Sequence, residues 1–296
     1  MNSSRYLVEQ KYFKEKVEAL GGEPLFASAE YDDKLQISQA HEMIEKGVSV
    51  LIVNSVNMNT AAAIVRDAHE NGVKVIAHDR LIRNSDLDFF ISYDNVKVGK
   101  LMAESITKIK PDGNYLLFGG DKADQNAVLV KAGQLEVLKK YEGKINIAYN
   151  VYIEDWSADN AYQELERYLN LSTIEPDAIL SSYDGMTTAC IKVLQKHNLA
   201  GKTLITGQDA ELDACRNIVN DLQTVTIYKP FKPMIEKAAE IAYQMASNKD
   251  FEKNTSVNNG ETDVPALFLE PIAVDKNNMR NTIIADGFFT ESQVYN

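Results

Sequence analysis

The side chains best equipped for chemistry in this chain recur where short apolar runs stop. Asp79-Arg80 comes after Val73-Lys74-Val75-Ile76-Ala77 and His78. Asp124-Gln125-Asn126 follows Tyr115-Leu116-Leu117-Phe118 and the pair Gly119-Gly120. Trp156, the only tryptophan, lies beyond a run ending at Ile153, with Glu154-Asp155 before it. Tyr183-Asp184 follows Ala178-Ile179-Leu180, Gln208-Asp209 follows Leu204-Ile205, and Lys229 follows Ile227. Carboxylates and carboxamides hydrogen-bond around hydroxyls, while Arg and Lys supply fixed donors. An indole adds a flat apolar face that suits the C–H face of a pyranose. Singly, Asp184 and Asp209 also suit helix caps, and Lys229 a solvated loop charge. Recurrence at successive strand ends argues better for one shared cleft, because the carboxyl ends of strands in open α/β sheets border the ligand crevice.

Other chemistries find no support. Gly119-Gly120 lacks both the Walker pattern and GxGxxG, so a tight turn is expected there and no phosphate cradle. His41, His69, His78 and His197 are scattered without metal-ligand spacing or an HExxH motif, and His41 and His69 fall inside predicted helices as solvated residues. GxSxG is absent, which removes the nucleophile elbow of serine hydrolases. The set binds and does not react, needs no cofactor, and points away from an enzyme. Cys190 and Cys215 are expected to be small buried apolar residues, not a disulfide. A net charge of −12 argues against a nucleic-acid partner, which would need a basic face. No run of eighteen apolar residues is present.

The elements that must carry these residues alternate along the 296 positions, enough chain for two domains. A helix starts at the N-terminus, capped by Ser3 or Ser4, with Phe13, Val17 and Leu20 on one face and Gly21-Gly22 as its stop. Pro24-Leu25-Phe26-Ala27 is a short strand candidate. Asp33 caps a helix carrying Leu35, Ala40, Met43 and Ile44, and residues 48–53 form a buried strand. Thr60 leads a helix with Ala61, Ile64, Val65 and Ala68. Strands at 73–77 and 89–91 follow. After Pro111-Asp112-Gly113 a second series has strands at 115–118, 145–153, 178–180, 204–205 and 223–227, with helices near 126–140, 158–171 and around Ala189–Leu194. A helix after Pro233 carries Ile235, Ala238, Ile241 and Ala242. Residues 248–263 look looser, and terminal strands are expected near Phe268 and Ile283-Ile284. Strand–helix alternation with Gly at helix exits is the mark of right-handed βαβ units on parallel sheets.

The segments GVSVLIVNSVNMNTAAAIVRDAHENGVKVIAHDRLI, FFISYDNVKVGKLMA, GNYLLFGGDKADQNA, LITGQDAELDACRNI and TVTIYKP resemble type I periplasmic sugar-binding proteins. Within that superfamily of ribose and galactose binders, DRLI, ISYDN and TGQDAEL resemble most the D-xylose-binding proteins of ABC transporters. VNNGETDVPALFLEPIAVDKNN and IADGFF extend the similarity through nearly the whole chain. The resemblance implies an α/β fold of two Rossmann-like lobes joined by a three-segment hinge. It places residues 1–112 plus 228–264 in the first lobe and 113–227 plus 265–296 in the second. Asp79 and Arg80 would bond sugar hydroxyls from the first lobe, and Asn126, Trp156, Asp184, Asp209 and Lys229 would line the rest.

Two departures stand out. The family commonly has Asn before the Asp of an S-N-D motif, where this chain has Tyr183, a larger ring that reshapes the pocket edge. The family also begins with a strand, whose following loop supplies an Arg, before its first helix. Here Arg5 lies near that loop, and Met1 is expected to be an internal start or the end of a fragment. The resemblance implies an extracytoplasmic protein, although the first residues carry no signal peptide. The resemblance also implies closure over a monosaccharide, an aldopentose and D-xylose first, and its delivery to an ABC transporter permease. The alternative is a receptor signalling to a membrane sensor histidine kinase. A transcriptional repressor core is weaker, because no helix-turn-helix segment precedes the first lobe.

Overall fold

The computed structural model describes residues 3–295, with side chains from residue 9 onward. Met1 and the side chain of Arg5, both singled out above, lie outside the described residues. In chain order the elements are α1 (Ser3–Ala19), α2 (Asp33–Glu45), β1 (Val50–Val53), α3 (Ala62–Glu70), β2 (Lys74–His78) and β3 (Phe89–Tyr93). Then come α4 (Asn95–Thr107), β4 (Gly113–Gly119), α5 (Gln125–Leu138), β5 (Ile145–Tyr152), α6 (Ala158–Leu171) and β6 (Ala178–Ser181). They are followed by α7 (Asp184–Lys196), β7 (Leu204–Gln208), α8 (Leu212–Val219), β8 (Val225–Tyr228) and α9 (Phe231–Ala246). The last are β9 (Thr255–Asn258), β10 (Asp263–Leu269), β11 (Ile272–Val274) and α10 (Glu291–Tyr295). The chain divides into two units, residues 1–93 with 230–269 and residues 94–229 with 270–296, so it crosses between them three times.

The first unit holds a sheet in the order β1-β2-β3-β10-β9, parallel except for β9. Alternation along β2 sends Val75 and Ala77 to one face and Ile76 to the other. Val75 and Ala77 pack with Ile64, Val65 and Ala68 of α3, while Ile76 joins Phe89 and Ile91 against Met234, Ala238 and Ile241 of α9. Helices on both faces explain why these strands are apolar throughout. Asp32, one residue before the predicted cap, starts α2 by accepting from the N–H groups of Lys34 at 2.9 Å and Leu35 at 3.0 Å. The predicted strand at 24–27 belongs to no ladder. Its apolar side chains serve elsewhere: Phe26 meets Phe13 of α1 edge-on at 5.8 Å, and Leu25 is exposed. Helix α9 begins at Phe231, two residues before Pro233, which fits the first turn because no intrahelical bond needs its missing N–H. The Asn-rich stretch is more ordered than its composition suggests, since it supplies β9 and the start of β10.

The second unit has a sheet in the order β11-β8-β7-β6-β4-β5, parallel except for β11. Leu116, Phe118, Ile179 and Ile205 face α6 and α7, while Tyr115, Leu117, Ala178 and Leu180 face α4 and α5. Helix α4 precedes the expected boundary at 112 and packs in this unit, its Val98 and Met102 meeting Val130, Val225 and Ile227. Helices α4 and α5 cross in backbone contact: a Cβ on Gly99 would stand 1.9 Å from the Val130 carbonyl oxygen, and one on Gly133 2.0 Å from that of Val96. The predicted strand at Ile283-Ile284 is instead a wide helical turn, Arg280–Ile284. Asn278 organises the stretch before it, accepting from the Asp275 N–H at 2.9 Å, and Ile283 enters the cluster of Cys215 and Met279. Both cysteines are buried and free, as expected, and burial raises both thiol pKa values, that of Cys190 to about 12.

Candidate ligand-binding site

In the first unit Asp79 and Arg80 lie directly past β2. Asp79 adopts a left-handed backbone, φ 65°. Its N–H donates to the Ile91 carbonyl at 2.8 Å and its carbonyl accepts from the Ser92 hydroxyl at 3.0 Å, so β3 holds the turn. The loop that follows is clamped by a residue the sequence reading passed over. Asn259 is 1% exposed; its amide donates to the carbonyls of Ile82 at 3.1 Å and Ser85 at 2.8 Å. Its oxygen accepts from the N–H groups of Glu261 at 3.1 Å and Thr262 at 3.0 Å. All of that carboxamide's strong valences are used inside the unit. His69 is tied down too, with Nε2 2.8 Å from Asp88 Oδ2, unlike the solvated residue expected.

In the second unit the predicted residues stand at the carboxyl ends of five neighbouring strands. Across the sheet they run Lys229 after β8, Asp209 after β7, Asp184 after β6, Asn126 after β4 and Trp156 after β5. Lys229 and Asp209 form an ion pair, Nζ to Oδ1 2.8 Å, largely withdrawn from water. Asn126 accepts from the amide of buried Asn95 at 3.0 Å, which fixes its oxygen. Asp184 is fully buried and forms no ion pair among the described residues. Burial raises its pKa, while the Thr226 hydroxyl at 2.7 Å, the Gln223 amide at 2.9 Å and the Glu211 N–H at 3.1 Å pull the other way. Its oxygens thus organise the neighbouring loops.

The Gly119-Gly120 pair serves a purpose other than the expected turn. Neither residue has a positive φ. A Cβ on Gly120 would lie 2.2 Å from Trp156 Cζ3, so glycine lets the indole lie on the backbone. Beside it Lys131 is buried, 3% exposed; its Nζ donates to Asn150 Oδ1 at 2.7 Å and the Val151 carbonyl at 2.6 Å, and sits 3.7 Å from the centre of the Tyr152 ring. Burial lowers its pKa to about 8. Backbone strain gathers at the same places. Asp155 and Trp156 have φ of 56° and 54°, and Asp209 and Ala210 have 87° and 53°. A bulky residue in this region is uncommon, and such strain concentrates at ligand clamps. The arrangement offers hydroxyl-bonding groups and an aromatic plate, and the described residues contain no cluster of His, Cys, Asp and Glu suited to a metal ion.

A family model described as a periplasmic binding protein domain matches residues 2–250. The D-xylose-binding periplasmic protein of Haemophilus influenzae is 42% identical over 293 residues, covering 98% of this chain and 88% of the relative. The protein of the same description from Escherichia coli K12 is 39% identical over 292 residues, with the same coverage of 98% and 88%. A carbohydrate transporter solute-binding protein from Chloroflexus aurantiacus, solved with D-glucose, shares the fold: TM-score 0.88 at 24% identity, covering 99% of this chain and 95% of that one. With its two doubly wound α/β units, the chain belongs to the periplasmic binding protein family, among the type I sugar-binding members that include the D-xylose-binding proteins.

Proposed function

We propose that this protein is an extracytoplasmic receptor that binds a monosaccharide, D-xylose, without chemical turnover and presents it to an ABC transporter. The observation that carries the reading is the unbroken series of polar and aromatic residues at five neighbouring strand ends of the second unit. The names of the two relatives above support the choice of xylose. In this reading Asp79 and Arg80 bond hydroxyls, as do Asn126 and the Asp209–Lys229 pair, while Trp156 stacks on the C–H face of the ring. Asp184, with its oxygens engaged by Thr226, Gln223 and Glu211, holds the loops that carry the others. Binding favours whichever arrangement of the lobes gives the sugar the most contacts.

Calorimetric titration with xylose, ribose, arabinose, glucose, galactose and fructose tests the proposal. Xylose is expected to bind most tightly and to be recovered unchanged. Asp79→Ala and Trp156→Ala are each expected to weaken that binding at least tenfold, about 1.4 kcal/mol. Unchanged affinity in both variants would remove the site assignment, and loss of sugar over time would return the enzyme reading.

A further inference from the structure

One phenol joins three loops at the carboxyl edge of the second sheet. Tyr183 leaves β6 with an extended backbone at the N-cap of α7, yet its side chain makes no capping bond. Its hydroxyl donates instead to Glu211 Oε1 at 2.6 Å, on the loop between β7 and α8. Its ring stands edge-on to Trp156, on the loop between β5 and α6, with centroids 6.3 Å apart and planes at 88°. Burial, then the Glu211, Asp209 and Asp184 carboxyl groups, push the phenol pKa far up, which keeps the hydroxyl a donor. The backbone N–H of Glu211 reaches buried Asp184 Oδ2 at 3.1 Å, so the strut ends on a fixed anchor. Trp156 is held from behind by Gly120, and its Nε1 is buried without a hydrogen-bond partner among the described residues.

We propose that Tyr183 is the specificity-determining residue of this site, selecting aldopentoses over aldohexoses by walling one side of the Trp156 plate. The inference rests on the sugar-binding reading above. Two rings at right angles, one seated on Gly120 and the other tethered through its hydroxyl to Glu211, form a rigid corner. D-Xylose and D-glucose pyranoses share the configuration of their first four carbons and differ by the hydroxymethyl group on the fifth. At the corner that group meets the apolar edge of Tyr183, whose one polar atom is already committed to Glu211. Its hydroxyl is then buried without a partner, or Tyr183 is displaced and Glu211 loses its donor. Either outcome carries the penalty of an unmade buried hydrogen bond. A clash of this kind rejects a larger ligand more strongly than a lost contact rejects a smaller one.

The test is titration of the wild type, Tyr183→Asn and Tyr183→Leu with xylose and with glucose, after circular dichroism has confirmed folding. Removing the ring is expected to narrow the xylose-to-glucose affinity ratio by about tenfold or more, chiefly through a gain in glucose affinity. The second variant, which keeps an apolar side chain, decides the matter should Tyr183→Asn fail to fold. An unchanged ratio in a wild type and variant that both bind xylose overturns the specificity role and leaves the sugar reading standing. A wild type that binds neither sugar overturns both.

Discussion

At the scale of single residues, Trp156 gives the most direct experimental handle, because it is the only tryptophan in the chain. Its fluorescence therefore reports one place. Sugar binding is expected to shift or quench that emission, and Gly120→Ala is expected to alter it before any sugar is added. The added methyl would overlap the indole, whose nearest atoms stand 2.2 and 2.3 Å from its position. Xylose affinity should fall at least tenfold, about 1.4 kcal/mol, while far-ultraviolet dichroism stays unchanged. Emission and affinity like those of the wild type would mean that the indole does not need its seat on Gly120. The residue types of the site were visible in the sequence because Asp, Asn, Arg, Lys and Trp stand out at the ends of apolar runs. Their supports were not. Asn95, Asn259 and Glu211 act through partners 31, 177 and 27 positions away, which no local pattern encodes. The function of Gly120 is likewise set by a ring 36 positions along the chain.

At the scale of elements, the crossing of α4 and α5 places two parts of the second unit at once. Helix α5 carries Asn126 at its second position and Lys131 further on, and α4 opens with Asn95, which holds Asn126. Because Gly99 and Gly133 each abut a carbonyl of the other helix, Gly99→Ala forces the helices apart or distorts one of them. The expected cost is about 1–3 kcal/mol of stability, measured by urea denaturation, with a further loss of xylose affinity as Asn126 moves. Full stability in that variant would show that the crossing can relax. Most strands and helices were legible from apolar runs ended by Gly or polar residues, because strands buried on both faces leave such runs. Two apolar stretches misled that reading for different reasons. Phe26 packs against Phe13 of α1, and Ile283 completes a helical turn; in neither case does the local sequence show what the side chain will pack against. Helix α4 was placed on the wrong side of the expected division at 112, since an amphipathic pattern says that a helix has a partner but not which one.

At the scale of the whole molecule, the chain crosses three times between its two units, and any ligand that binds only the native state stabilises it. Xylose at one hundred times its dissociation constant should stabilise the native state by about 2.7 kcal/mol, seen as a higher midpoint of thermal unfolding. Glucose at the same concentration should give a smaller rise, and an equal rise would contradict the selectivity proposed for Tyr183. None of the helices among the described residues is long and apolar enough to cross a membrane. The left-handed backbone at Asp79, Trp156 and Asp209 has a consequence for anyone engineering this scaffold. Glycine adopts that conformation without steric penalty, so a screen for heat resistance would favour it at Asp79 and Asp209 wherever the strain relieved exceeds the entropy glycine adds to the unfolded chain, though not at Trp156, whose ring packs against the core. Each winner would be a sturdier protein with a blunter grip. Selection on melting temperature alone would then erase the proposed sugar binding in the course of improving the material, and affinity must be scored in the same round.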